Sequence, residues 1–237
     1  MLDFLKISTR PTKNGLQIYP TFRMYPRSKD LMIRGGDFYA VWVEELGLWS
    51  TEESDALALI DKELEKYVEE NANRFDGIPN VLYMYDSDSG MVDSFHRYCQ
   101  RQMRDTYRML DEDLVFANTE PSKDLYASKR LEYPLEPGSI TAWDKIIGTL
   151  YNEEDRHKLE WAIGAIVSGD SKRIQKFMVL YGEAGTGKST ILNIIQMLFK
   201  GYYSLCDAKA LGAYNNSFAL ENFKSNPLVA ISVSGNA

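Results

Sequence analysis

The stretch 176-KFMVLYGEAGTGKSTILNIIQMLF-199 combines a short apolar run, a glycine-rich turn and a helical pattern of apolar residues. Gly182 and Gly187 bracket four residues before Lys188 and Ser189, which is the spacing of a phosphate-binding P-loop. The run 177–181 has the length of a buried strand, and the apolar residues after the loop recur at helical spacing. The stretch therefore predicts a strand, loop and helix within an α/β domain with a mostly parallel sheet.

A loop of this kind is suited to binding a nucleoside triphosphate. Backbone N–H groups and the positive end of the helix dipole face an anion, and glycines let the backbone approach phosphates closely. We expect Lys188 to act as the catalytic residue at the β- and γ-phosphates, and Ser189 to offer its hydroxyl to Mg²⁺. The residues expected around the nucleotide are Gly182, Glu183, Ala184, Gly185, Thr186, Gly187, Lys188, Ser189 and Thr190. A glycine turn between two core elements is the alternative interpretation.

Composition limits the class of protein. The chain has 237 residues, of which 44% are hydrophobic, so it can bury one sizeable core or two small ones, and we expect two domains. A net charge of −7 argues against a non-specific nucleic-acid coat, so any nucleic-acid contact must be local. Cys99 and Cys206 are too few for a disulfide framework and too isolated for a zinc site. We expect no membrane insertion and a cytoplasmic location.

The first half of the chain predicts an N-terminal domain over residues 1–119, with a small sheet and two helices. Aromatic and β-branched residues, including 38-FYAVWV-43, favour strands. Ser50 and Glu53 have the spacing of a capping box, and a helix is expected from there to about Asn71. The run 81-VLYMY-85 is too short to assign to a strand or a helix. A second helix is expected over about 91–110.

Two basic patterns in this half are candidates for nucleic-acid binding. The helix over 91–110 is expected to carry Arg97, Arg101, Arg104 and Arg108 opposite its apolar face. Guanidinium groups at one-turn intervals can follow phosphates, although a solvated polar face is the alternative. The second pattern comprises Arg10, Lys13, Arg23, Arg27, Lys29 and Arg34, interleaved with Tyr19, Phe22 and Tyr25. Such aromatics can stack on single-stranded bases, although in a sheet they more often belong to the core.

Residues 120–140 predict a linker, because prolines and a glycine interrupt any regular pattern there. A helix is expected over about 142–150. Another is expected to start near Asn152, an N-cap candidate with acidic residues in the following turn. These helices lead into the P-loop, so residues 141–237 predict a nucleotide-binding domain.

The block 141-TAWDKIIGTLYNEEDRHKLEWAIGAIVSGDSKRIQKFMVLYGEAGTGKSTILNIIQMLFKGYY-203 resembles the superfamily 3 helicase region of phage and plasmid primase-helicases. The resemblance includes 158-KLEWAIGAIVSGD-170, Gln175-Lys176 and Gly201-Tyr202-Tyr203, and it extends through 206–231. It implies a ring-forming, ATP-dependent motor of AAA+-like fold that acts in DNA replication, with ATP and Mg²⁺ as cofactors. Family members work as hexamers on single-stranded DNA. The implied partners are therefore single-stranded DNA, further copies of the chain and other replication proteins.

The chain departs from the family pattern at the run 228-LVAISV-233. In the family, the strand at this place ends in an acidic residue that helps to hold Mg²⁺. Here Ser234, Gly235 and Asn236 follow. Further strands, a polar sensor and an arginine finger lie beyond this point in family members. We therefore expect a C-terminally truncated member that binds ATP but hydrolyses it poorly, if at all.

Three hypotheses follow. The first is a replication helicase that couples ATP hydrolysis to movement on single-stranded DNA, represented by a truncated chain. The second is a catalytically inactive nucleotide-binding module that joins or inhibits a full-length helicase. The third is an unrelated P-loop enzyme, such as a nucleotide or small-molecule kinase. The large N-terminal region and the lack of a lid-like basic segment after the P-loop argue against a kinase.

Overall fold

The chain is a mixed α/β protein with two compact units. The computed structural model describes residues 1–13, 15–23, 28–34, 38–75, 77–101, 109–206 and 227–232. The first unit comprises Met1–Met109 with Pro121–Ser128, and the second comprises Leu110–Glu120 with Lys129–Ala237. Of the residues predicted to form a linker, 121–128 thus group with the first unit and 129–140 with the second.

The described residues of the first unit form two small sheets, where the sequence predicted one. In chain order its elements are β1 (Leu5–Thr12), β2 (Gly15–Phe22), β3 (Leu31–Arg34), β4 (Phe38–Val43), β5 (Leu48–Ser50), α1 (Glu53–Glu70), β6 (Asn80–Val81) and α2 (Met91–Arg101). Strands β1 and β2 pair antiparallel, and β6 adds to β2 in parallel. Strands β3, β4 and β5 form an antiparallel sheet. The strand predicted over 38–43 is confirmed as β4.

Helix α1 confirms the predicted helix but not its predicted cap. Its N-cap residue is Glu52, and no side chain caps the helix. The Ser50 hydroxyl instead bonds to the Asp55 carboxylate at 2.5 Å and accepts from the Glu52 N–H at 3.1 Å. The predicted capping box is wrong because Ser50 is still the last residue of β5.

Helix α2 confirms the first half of the helix predicted over about 91–110, from Met91 to Arg101. Its buried residues Phe95 and Cys99 lie in one apolar cluster with Phe4 and Leu5. Residues 102–108 lie outside the described part of the chain, and Met109 and Leu110 belong to no helix. Asp111 has φ 59°, a left-handed conformation that does not continue a right-handed helix.

The second unit places its helices before a short parallel sheet. Its elements are α3 (Thr141–Leu150), α4 (Glu153–Val167), α5 (Ser171–Ile174), α6 (Lys188–Leu198), β7 (Tyr203–Cys206) and β8 (Val229–Ser232). Strands β7 and β8 pair in parallel, with Tyr203 opposite Val229. Asn152 is confirmed as the N-cap of α4, because its side chain accepts from the Asp155 N–H at 2.9 Å.

The strand predicted over residues 177–181 is wrong. The segment before the loop forms no regular element, and Phe177 and Tyr181 are 89% and 91% exposed. A strand requires a hydrogen-bonded partner, and no described strand pairs with this segment. In the described residues of the second unit, the sheet consists of β7 and β8, so the larger parallel sheet expected around a P-loop is not shown.

None of the helices within the described ranges combines the length and the apolar composition needed to cross a lipid bilayer.

Candidate nucleotide-binding site

Helix α6 starts where the P-loop pattern requires. Its first residue is Lys188, and its N-cap is Gly187 in the left-handed region with φ 78°. Gly182 and Gly185 also have positive φ, of 146° and 83°. Residues with side chains adopt these conformations at a cost, whereas glycine does not. The glycines of the motif therefore stand where the loop backbone needs them.

The helix is held in place by an apolar contact with the helices that precede the loop. Ile191, in the first turn of α6, is fully buried and clusters with Ile147 of α3 and Leu159 of α4. Leu180, just before the loop, packs against the same cluster. The periodicity that predicted α6 thus reflects real burial, and the start of the helix is anchored.

The Lys188 ammonium group points into the loop. Its Nζ donates to the carbonyl oxygens of Gly182 at 2.9 Å and Glu183 at 2.6 Å, and to the Thr186 hydroxyl at 3.1 Å. Thr186 in turn donates to the Glu183 carbonyl at 2.9 Å. The lysine charge is therefore concentrated on the inner side of the loop, beside the N-terminus of α6.

The structure brings together the residues predicted around the nucleotide. Residues 183–187 form a succession of bends around a turn at Ala184 and Gly185, and Lys188, Ser189 and Thr190 form the first turn of α6. Glu183, Ala184 and Thr186 are exposed, as are Ser189 and Thr190. The Ser189 hydroxyl is thus accessible, one residue after the lysine that faces the loop interior.

A polar network joins α3 and α4, the two helices before the loop. It was not predicted from the sequence. Arg156 of α4 forms ion pairs with Asp144 of α3 at 2.6 Å and with Glu160 at 2.8 Å. The Trp143 Nε1–H also donates to Glu160 at 2.7 Å. Hydrogen bonds from Trp143 and Arg156 lower the pKa of Glu160. In the sequence, the only local indication of this network was the i,i+4 spacing of Arg156 and Glu160.

The strand at which the family pattern places an acidic residue ends here in a residue with a hydroxyl group rather than a carboxylate. Strand β8 ends at Ser232, and residues 229–237 contain no Asp or Glu. The described ranges also contain no group of three or more His, Cys, Asp and Glu side chains arranged to hold a metal. Ser189 offers an exposed hydroxyl oxygen beside the loop, and oxygen is the type of ligand that Mg²⁺ accepts.

The predicted arginine stripe is only partly described. Arg97 and Arg101 are exposed on α2, and their i,i+4 spacing puts them on one face of the helix. Arg97 Nη2 lies 3.4 Å from Ser94 Oγ in a long hydrogen bond. Arg104 and Arg108 lie outside the described residues.

Searches with the whole chain found no match among protein-family models, curated proteins or solved structures.

Proposed function

We propose that this chain binds ATP as its Mg²⁺ complex through residues 182–190, as part of a DNA replication helicase of the superfamily 3 primase-helicase type. The observation that carries the proposal is the Lys188 ammonium inside a loop with three positive-φ glycines, at the start of a helix that buries Ile191. In this proposal the helicase couples ATP hydrolysis to movement along single-stranded DNA, works as a hexameric ring and acts with other replication proteins.

Each part of the loop has a role in holding phosphate. The first N–H groups of α6 have no partners within the helix and, with the helix dipole, favour an anion. Lys188 exchanges its neutral partners, the Gly182 and Glu183 carbonyls, for charged phosphate oxygens. Hydrogen bonds between ionised groups are stronger than those to neutral acceptors, so the exchange favours the nucleotide. Ser189 offers its hydroxyl to Mg²⁺.

An AAA+-like fold is part of the same proposal. The parallel pairing of β7 with β8 supports it. Before the loop, the side chains of Phe177, Val179 and Tyr181 are exposed. Exposed apolar surface favours association, so we expect the isolated chain to assemble or aggregate. Sedimentation as a stable monomer at micromolar concentration would count against this expectation.

A second function is favoured by one observation. Because β8 ends at Ser232, the strand lacks the carboxylate that usually helps to hold Mg²⁺ during phosphoryl transfer. A nucleotide-binding module without turnover, which joins or inhibits a full-length helicase, needs the loop but not that carboxylate.

Binding and single-turnover hydrolysis, measured together with and without single-stranded DNA, separate the two functions. The test variant is Lys188→Ala, and Lys176→Ala is a matched control because Lys176 is an exposed lysine outside the loop. Binding with DNA-stimulated turnover, lost in Lys188→Ala but not in Lys176→Ala, supports the helicase. Lys188-dependent binding without turnover supports the module. Absence of ATP binding contradicts both.

A further inference from the structure

A basic segment lies at the start of this acidic chain. Residues 4–29 contain no Asp or Glu, although the whole chain has 34 acidic against 27 basic residues. The basic residues of this segment are Lys6, Arg10, Lys13, Arg23, Arg27 and Lys29. A positive region in a protein with net charge −7 is therefore a local feature, suited to a local anionic partner.

The hairpin of β1 and β2 divides this segment into two faces. Leu5, Ile18 and Phe22 point to the core side, where Phe22 contacts Phe95. Because side chains alternate along a strand, the other side carries a different set, which we name the outer face. It comprises Lys6, Ser8, Arg10 and Thr12 of β1 with Gln17, Tyr19 and Thr21 of β2. Across the hairpin, Lys6 lies opposite Thr21 and Ser8 lies opposite Tyr19.

Arg10 and Tyr19 form a pre-arranged pair at the centre of the outer face. The Arg10 guanidinium carbon lies 5.4 Å from the centroid of the Tyr19 ring. Arg10 Nε donates to Gln17 Oε1 at 2.6 Å, and Gln17 is only 8% exposed, so it is a fixed anchor. This hydrogen-bond partner is a neutral amide, which orients the guanidinium without neutralising it. The result is an exposed planar cation beside an aromatic ring.

The rest of the outer face is polar. Ser8 and Thr21 share a hydrogen bond of 3.0 Å between their hydroxyls, and Lys6 is exposed. Lys13 is exposed in the turn, and Arg23 is exposed just after β2. Cations therefore lie along the hairpin from one end to the other, with the aromatic ring between them.

We propose that the outer face of the β1–β2 hairpin binds single-stranded DNA. The cations follow the phosphates, and an unpaired base stacks on Tyr19 or on the Arg10 guanidinium. A duplex offers no unstacked base for this pair. A lipid surface is disfavoured because membrane-binding faces bury several apolar side chains, whereas this face has only Tyr19 and polar groups. The inference that this face binds a single-stranded nucleic acid rests on the geometry of the hairpin. The choice of DNA over RNA rests on the proposed function.

Fluorescence anisotropy with a labelled oligothymidine, in the absence of nucleotide, tests this site in the full chain. Tyr19→Ala should weaken binding about tenfold, while Tyr19→Phe, which keeps the ring, should bind as the wild type does. Lys6→Gln, Arg10→Gln and Lys13→Gln combined should reduce the slope of log affinity against log salt by about 2, from about 0.7 for each phosphate contact. Lys66→Gln removes an exposed charge elsewhere in the same unit and should change neither quantity.

The proposal is overturned if the hairpin variants keep the affinity and the salt slope of the wild type, or if Arg97→Gln and Arg101→Gln lose binding instead. It is also overturned if phosphatidylserine vesicles or duplex DNA bind as tightly as the oligothymidine, or if an RNA of equivalent sequence binds more tightly. Circular dichroism of each variant checks that the fold is retained. Because no ATP is present, Lys188→Ala should bind DNA normally. If the hairpin variants bind DNA normally, the nucleotide-binding proposal is unaffected. If ATP does not bind, the hairpin remains a proposed site for a single-stranded nucleic acid, and only the choice of DNA over RNA loses its support.

Discussion

Gly187 and Leu150 are in such close contact that a Cβ atom on Gly187 would lie 2.5 Å from Leu150 Cδ2 and 2.7 Å from Cδ1. Gly187 is the N-cap of α6 and Leu150 is the last residue of α3. The Leu150 side chain at the end of α3 thus occupies the space beside the N-cap of the candidate phosphate-binding helix. A residue with a Cβ atom is therefore disfavoured at position 187, both by the lack of space and by the backbone φ of 78°.

Gly187→Ala should therefore destabilise the chain more than Gly185→Ala. Both glycines have positive φ, but a Cβ on Gly185 meets nothing within 4 Å. Conformational strain alone costs about 1–2 kcal/mol, and Gly187→Ala also forces the Leu150 side chain to move away from the new Cβ. Urea unfolding measures both losses. In the Leu150→Ala/Gly187→Ala double variant, the clash is removed, so the loss should be smaller than the sum of the single losses. Equal losses in the two alanine variants would contradict this account.

Ser189→Ala should weaken ATP binding only when Mg²⁺ is present. The expected loss is about tenfold, the size of one hydrogen bond or ligand contact to a charged group. In EDTA, affinity for ATP should equal that of the wild type. Thr190→Ala, which removes the neighbouring hydroxyl in the same turn, should show no such dependence on Mg²⁺. An identical loss with and without the metal would argue against the role of Ser189.

Tyr202→Phe should destabilise the second unit. The Tyr202 hydroxyl donates to the Lys129 carbonyl at 2.7 Å and accepts from the Val115 N–H at 3.3 Å. Its removal leaves these backbone groups without that partner, at a cost of about 1–3 kcal/mol. Tyr181→Phe, at a 91% exposed position of the same unit, should cost nothing measurable in the same denaturant titration.

Because the Tyr202 hydroxyl is buried, we also expect the protein to lose stability at high pH. Burial raises the pKa of Tyr202 from 10.0 to about 12. Between these values the folded state retains a proton that the unfolded state has lost, so the free energy of unfolding falls as pH rises through this window. Tyr202→Phe should remove this part of the pH dependence. A Phe variant with the same slope as the wild type between pH 10 and 12 would refute the assignment.

Asp61→Ala should destabilise the first unit by about 1–3 kcal/mol, because two backbone donors lose their acceptor. The Asp61 carboxylate is 6% exposed and accepts from the N–H groups of Met84 at 2.6 Å and Tyr85 at 3.2 Å. Asp61→Asn, which keeps one acceptor oxygen, should lose less. Asp88→Ala, at an exposed position, is the control. An Asp61→Ala variant as stable as Asp88→Ala would contradict the role of these bonds.

Local chemistry explains which elements were predictable. The cap at Asn152 and the helix that buries Ile191 depend on neighbouring residues, and both were predicted. The segment 177–181 has the composition of a strand, but pairing depends on distant residues, so the prediction failed. The contact of Gly187 with Leu150 is equally non-local. The basic segment of the hairpin was visible in the sequence, whereas the pairing of Arg10 with Tyr19 on one face required the strand register.

Calorimetric titration with Mg²⁺-ATP, using the wild type, Lys188→Ala and Lys176→Ala, tests the central claim most directly. Because Lys188 Nζ faces the interior of the loop, we predict saturable binding to the wild type and Lys176→Ala and loss of binding in Lys188→Ala. The contradicting result is ATP binding of equal affinity in all three proteins, or no binding to the wild type.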